Sequence, residues 1–416
     1  MTIKNSARDK GIPDCQDGRL RRGIIALGLT CACAPVAALQ PANIPLGPLK
    51  IEPTLLFDAA WVDNLYRSAD DEIESWVFYT QPTLDVWLDN GPSKYIFHYE
   101  LQDRRYSGTP SGEDDDFTGH LFRGDIHQRF NVRNELNLYA EHHRAAEERG
   151  TGLTEGDDVG RLTSEPLEYD RDSLGGTYIY GSQTGQGRLE ATAEYWEMDY
   201  RNFESYTQNF DYDATHYQGE FFWGVAPKTA LVLDASYLQT KYAEDRADMP
   251  SLDAQELRVL VGVEWEASGR TRGAVKVGGY ERDFDDSERD KSTGFSWEVD
   301  VTYRLRTHSN FDFGAAQISR ETNGQGDFID SKEYTFDWLY MFKRGYRSNL
   351  AILRAEDDYK GTDREDVRLN VELSLTKAFR RWLEAGIGWR YEDRDSDEAQ
   401  FKYERNEFFI DLKLSL

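Results

Sequence analysis

The 416-residue chain has three cysteines, Cys15, Cys31 and Cys33, all near its start. Beyond residue 38 there is no thiol, which excludes a disulfide framework and any cysteine-based metal site there. Long apolar runs are missing too. No stretch after Ala38 is long and apolar enough to cross a membrane as a helix. Catalytic signatures are absent: there is no Gly-x-Ser-x-Gly elbow, no phosphate-cradling glycine-rich loop before a helix and no His-Glu-x-x-His. Positive charge is scarce. Lys and Arg number 49 against 76 Asp and Glu, and the net charge of −27 excludes a general nucleic-acid role. Neither an enzyme nor a cofactor is expected.

What remains is rich in aromatics. Hydrophobic residues make up only 39%, yet there are 24 Tyr, 21 Phe and 10 Trp, which argues against a disordered chain. Residues 1–38 read as a secretory signal peptide. Arg19, Arg21 and Arg22 precede an apolar stretch from Ile24 to Pro35, and Val36-Ala37-Ala38 offers a small-residue cleavage site. Residues 39–53, with Pro41, Pro45, Pro48 and Pro53, read as an extended periplasmic lead-in. An exported chain without an apolar helix is either soluble in the periplasm or a membrane barrel.

The stretch 295–306 decides between them. Phe295, Trp297, Val299, Val301, Tyr303 and Leu305 are large and apolar, and every residue between them is polar or charged. A strand sends alternate side chains to opposite faces, so this segment has one oily face and one wet face. The oily face spans the length a tilted strand needs to cross a bilayer. The wet face carries too many charges for a packed core. The pattern recurs at 257–265, 334–342, 367–375 and 383–391, and again at the end of the chain, where Phe408, Ile410, Leu412, Leu414 and Leu416 share one face.

Connectors between these segments alternate. Short ones, such as Asn90-Gly91-Pro92-Ser93 and Lys343-Arg344-Gly345, take turns with longer, mostly acidic ones, such as 107–116 and 147–172. The chain therefore reads as all-β. It is expected to form a transmembrane antiparallel β-barrel over 54–416 of about eighteen strands (roughly 16–20), with short periplasmic turns and long acidic extracellular loops. Pro82 falls inside one strand and predicts a bulge or break there. Trp223, Trp265, Phe379 and Trp382 near short turns, with Tyr106, Tyr200, Tyr242, Phe284, Tyr359 and Tyr391 near long loops, predict two aromatic girdles. The bland alternative is that aromatics simply favour strands.

The first strand pair adds a resemblance. Asp63-Asn64 ends the first strand, and Pro82 interrupts the second, within Trp76-Val77-Phe78-Tyr79-Thr80-Gln81-Pro82-Thr83-Leu84. This opening resembles the type 2 β-barrel porin family. That resemblance implies a bacterial outer-membrane barrel, often associated with exopolysaccharide or capsule production. It also implies outer-membrane lipid and lipopolysaccharide as surroundings, and the barrel-assembly machinery as a partner during biogenesis.

The wet faces supply the candidate functional residues: Arg258, Glu264, Glu298, Asp300, Arg304, Arg306, Asp337, Arg368, Glu372, Glu384 and Arg390. About eighteen strands enclose a water-filled bore unless loops plug it. Charges lining such a bore set selectivity, here for a polysaccharide or small hydrophilic solutes, or they pair across strands and merely brace the wall. In the loops, Glu113-Asp114-Asp115-Asp116 and Asp157-Asp158 either bind a divalent cation or stay solvated. His142 and His143 are adjacent on a strand, so they point to opposite faces and share no metal. The expected function is an outer-membrane channel; the rivals are a non-conducting docking barrel and a soluble periplasmic all-β protein.

Overall fold

A computed structural model describes residues 44–156, 163–182, 185–243 and 250–415. The expected signal peptide, Asp157-Asp158 and Leu416 lie outside the described residues. A short strand, β1 (Ile44–Leu46), turns onto the first wall strand, β2 (Leu49–Val62), so the wall starts five residues before 54. Then come β3 (Ser75–Asp89), β4 (Ser93–Ser107), β5 (Phe117–Asn131), β6 (Asn134–Glu147), β7 (Leu167–Tyr180), β8 (Gly187–Tyr200) and β9 (Tyr212–Ala226). The wall continues with β10 (Thr229–Tyr242), β11 (Ala254–Ser268), β12 (Thr271–Phe284), β13 (Ser292–Arg306) and β14 (Ser309–Glu321). It ends with β15 (Phe328–Met341), β16 (Tyr346–Lys360), β17 (Glu365–Arg380), β18 (Leu383–Ser396) and β19 (Tyr403–Ser415). Among the described residues a four-residue α-helix, α1 (Glu204–Thr207), sits between β8 and β9.

Each wall strand pairs antiparallel with its sequence neighbours, and β19 pairs with β2, giving a closed barrel of eighteen strands. Closure gives every wall strand a partner on both sides, which is why a sheet in lipid must close. The alternation read from the sequence decides which face looks out. Leu257, Val259 and Val261 on β11 are exposed, and so are Phe295, Tyr303 and Leu305 on β13 and Phe408, Ile410 and Leu412 on β19. Their charged neighbours face the other way. Lys276 on β12 reaches Glu220 on β9 at 2.7 Å, and Arg188 on β8 reaches Glu264 on β11 at 3.3 Å. Side chains three strands apart meet only on the concave side, so the charged face is the inside.

Pro82 causes neither a bulge nor a break. β3 runs through it, and Leu55↔Pro82 keeps the register with β2. Only the β4 side lapses: its ladder skips from Thr80↔Asp103 to Thr83↔Glu100 with no shift of register. The missing N–H is spent where it interrupts least. Gly91 supplies the positive φ, 72°, that the tight β3–β4 turn requires.

The expected upper girdle is also corrected. Tyr391 points outward with Ile387 and Trp389, but Tyr106, Tyr200, Tyr242, Phe284 and Tyr359 fall on the inner face. Phe284 is buried with Ala254, Tyr280 and Phe328, and Tyr359 is 2% exposed. These rings pack inside the mouth of the barrel instead of meeting lipid. At the other end Trp223, Phe379 and Trp382 are exposed beside short turns.

The ring closes between β19 and β2, and there the Asp63-Asn64 pair acts. The ladder runs from Ser415↔Thr54 to Glu407↔Val62 and stops. Above it, Asp63 accepts from the Asn406 backbone N at 2.7 Å and from its Nδ2 at 2.9 Å. Asn64, wholly buried, donates to the carbonyls of Ser68 (2.8 Å) and Glu404 (3.1 Å). Side chains thus extend the seam past the last rung. Asn64→Ala leaves two part-buried carbonyls without their donor, a loss of about 1 kcal/mol. The expected result is a lower unfolding midpoint in detergent with unchanged secondary structure; an unchanged midpoint would show the clamp to be idle.

Candidate functional site

The inner wall divides into two levels. Along the strands, charges pair laterally, and several are nearly sealed: Lys276 is 2% exposed and Glu372 4%. Arg258 Nη2 lies 2.8 Å from Glu298, and its Nε donates to Ser296 Oγ at 2.7 Å. Lys276 sits between Asp234 (2.5 Å), Glu220 and Glu298 (3.6 Å). Arg390 bridges Glu372 (2.9 Å) and Glu407, and Glu384 is held by Arg347. Asp300, Arg304, Arg306 and Asp337 are exposed, with Asp337 directly opposite Asp312 on the neighbouring strand. The remaining candidates are Glu264, already paired with Arg188, and Arg368, which is nearly sealed and bound to Asp357 at 3.1 Å high in the barrel. The eleven residues therefore do two jobs. Most brace the wall, while four face open water.

The level nearer the long loops is filled. Three loops fold inward and interlock. Arg149, on the β6–β7 connection, is buried and takes Asp115 at 2.7 Å and Glu113 at 2.6 Å. Its guanidinium lies over the Tyr66 ring, 4.2 Å from the centroid. The acidic run 113–116 is thus divided: an arginine from another loop neutralises Glu113 and Asp115, while Asp114 and Asp116 are exposed and Arg105 pairs with Asp116. Among the described residues no cluster of metal-ligating side chains forms. His142 and His143 do part company, His142 pairing outside with Asp172 at 2.8 Å and His143 facing Tyr169 inside. Beside Arg149, Gly150 has a φ of 80°, and a Cβ there would strike the Tyr66 carbonyl, so only glycine lets these loops approach. Glu148 meets Arg67 at 3.1 Å as well as Arg104. Burial raises its pKa, but Arg104, Arg67 and Arg405 outweigh burial and hold the carboxylate well below its usual range.

At the centre of the mouth stands Glu155. It leaves the β6–β7 loop and meets Arg394 of β18 at 2.8 Å, Arg364 of the β16–β17 loop at 3.1 Å and Asn323 of the β14–β15 loop at 2.7 Å. These partners come from the opposite side of the ring, so Glu155 ties the two sides together across the bore. Arg364 is sandwiched between Tyr359 (4.0 Å) and Phe401 (3.5 Å). Beneath, Leu153, Leu167 and Phe210 form an apolar kernel, and Gly324 abuts Leu153 and Phe210. Sequence reasoning missed Glu155, Arg364 and Arg394. The first two sit in loops without periodicity and carried no signal. Arg394 continues the β18 alternation past Arg390 and was legible.

The geometry is that of a channel wall with a filled outer mouth. Solved structures similar in fold include OpdK from Pseudomonas aeruginosa (TM-score 0.49, 10% identity, covering 88% of this chain and 99% of that one). They also include OccAB4 from Acinetobacter baumannii (TM-score 0.46, 11% identity, covering 91% and 99%). The siderophore receptor PirA from Acinetobacter baumannii aligns as well (TM-score 0.45, 8% identity, covering 88% and 80%). A comparison with curated protein sequences found no match. The family model described as "Putative beta-barrel porin 2" matches residues 37–416, which take in every described strand, and the protein belongs to that family of outer-membrane β-barrel porins.

Proposed function

We propose that the protein is a passive channel for small hydrophilic solutes in the Gram-negative outer membrane, reached through export by the signal peptide at 1–38. One observation carries this reading. Asp300, Arg304, Arg306 and Asp337 are exposed on the inner face of an eighteen-strand wall, where charges of both signs meet water. A ring of this size has room for an aqueous bore once side chains are placed. Exposed charges of both signs suit a polar solute of low net charge. Lipopolysaccharide would surround the outward apolar band, and the barrel-assembly machinery would insert it. Export of an exopolysaccharide chain is a narrower form of the same reading and requires the three interlocked loops to part.

A second reading has its own support. The network around Glu155 fills the outer mouth, as a non-conducting docking barrel would require. Planar-bilayer recording of the purified protein separates the two. Discrete conductance steps are expected, and Asp337→Arg should shift ion preference toward anions. Silence at every voltage would favour the docking barrel.

A further inference from the structure

One seam of the wall is unfinished. The β12–β13 ladder continues up to Arg282↔Ser292, and the β14–β15 ladder up to Glu321↔Phe328. Between them, the β13–β14 ladder stops at Glu298↔Ala316, partway up the wall. Above that rung the facing edges, 292–297 and 317–321, have no ladder to one another. An open seam at the height of the lipid-facing Phe295 and Trp297 is costly, because lipid offers its backbone groups nothing.

The upper end of β14 has gone elsewhere. The Glu321 carboxylate accepts from Arg282 Nη2 (2.9 Å), Thr240 Oγ1 (3.1 Å) and Tyr242 Oη (3.0 Å). Thr240 and Tyr242 lie on β10, four strands away round the ring. Phe328 packs with Phe284, Tyr280 and Ala254 on the inner faces of β11 and β12. Nearer the break, Ser296 Oγ donates to the Gln317 carbonyl at 3.4 Å. On the lipid side, the rings of Trp297 and Tyr334 meet with centroids 5.9 Å apart and cover the gap.

The same residues have a second arrangement open to them. Continuing the existing register upward sets Ser292 opposite Thr322. We propose that the upper β14–β15 hairpin exchanges between two seats: docked across the mouth, as seen, and zipped onto β13 with the mouth cleared. Each seat satisfies what the other leaves open. Docking supplies the Glu321 contacts and the Phe328 packing; zipping supplies ladder bonds and heals the seam. Such a two-seat element is what a gate needs. The gating role rests on the channel reading above.

The test uses the absence of cysteine beyond residue 33. Ser292→Cys and Thr322→Cys are introduced together, alone and with Glu321→Gln or Phe328→Ala. Disulfide formation under mild oxidation is expected to run about tenfold faster with Glu321→Gln, the weight of one charge-assisted hydrogen bond. Phe328→Ala should accelerate it independently. Conductance of the oxidised protein should rise several-fold and fall back on reduction. Equal cross-linking rates in all backgrounds would overturn the proposal, as would complete cross-linking with unchanged conductance. Accelerated cross-linking without conductance in any form would remove the channel reading and leave the exchange of the hairpin standing.

Discussion

Val299→Arg should cost the barrel about 2–4 kcal/mol, the penalty for an arginine facing lipid at mid-height. Val299 lies on β13 between Val275 and Ala315, both on the same outward face. Its successor, Asp300, points inward and is exposed to water. Asp300→Arg should therefore leave the unfolding midpoint nearly unchanged, within about 0.5 kcal/mol, as for other water-facing sites. Two adjacent positions given the same new side chain thus answer the question of sidedness. The measurement is urea unfolding in lipid vesicles, with heat-dependent gel migration as a check on folding. Equal loss at both positions would mean that neither face meets water.

The second large effect is expected from Glu155→Ala. Glu155 sets its carboxylate against Arg364, buried to 1% exposure, and against Arg394. Removing it leaves two buried guanidinium groups to share Asp366, which lies 3.0 Å from Arg364 Nε and 3.8 Å from Arg394. Breaking a buried ion pair from one side costs about 3–5 kcal/mol, because the remaining charge stays desolvated. The loss should be local. The loops at 148–156 and 361–364 should become cleavable by protease while the strands stay protected. Replacing Glu155 and Arg364 together by Leu and Met should recover much of the protection, since an apolar pair of similar volume removes the stranded charge. If the single variant resists protease as the parent does, the mouth is held by something other than this carboxylate.

How much of this could be read in the chain beforehand differs by level. The wall was legible because lipid and water impose a period of two, and residues such as Val259 or Glu298 announce their face by type alone. Turns with glycine or proline were legible as well. The β5–β6 turn at Val132-Arg133 was not, since it holds neither; its only mark is Asn131, whose side chain accepts from the Arg133 backbone N at 2.9 Å. The filled mouth was hidden for another reason. Acidic loops read as solvated, and nothing local reveals that Arg149 will neutralise Glu113 and Asp115 from a loop some 34 residues away. The inward aromatics deceived in the same way, because a strand end looks alike whether lipid or a folded loop lies beside it. Among the candidate site residues, periodicity gave the right face, but it could not say that Glu372 would be braced by Arg390 while Asp337 would be left to water.

The Asp63-Asn64 clamp also bears on how the molecule is made. Each wall strand but the first and last has both its neighbours next to it in sequence, so hairpins can form one after another with short chain excursions. The seam is the exception: Asp63 must find Asn406 across 343 residues. Loop-closure entropy therefore concentrates in a single late event. Substitutions at the clamp should then slow the final step of barrel formation far more than they slow the appearance of strands.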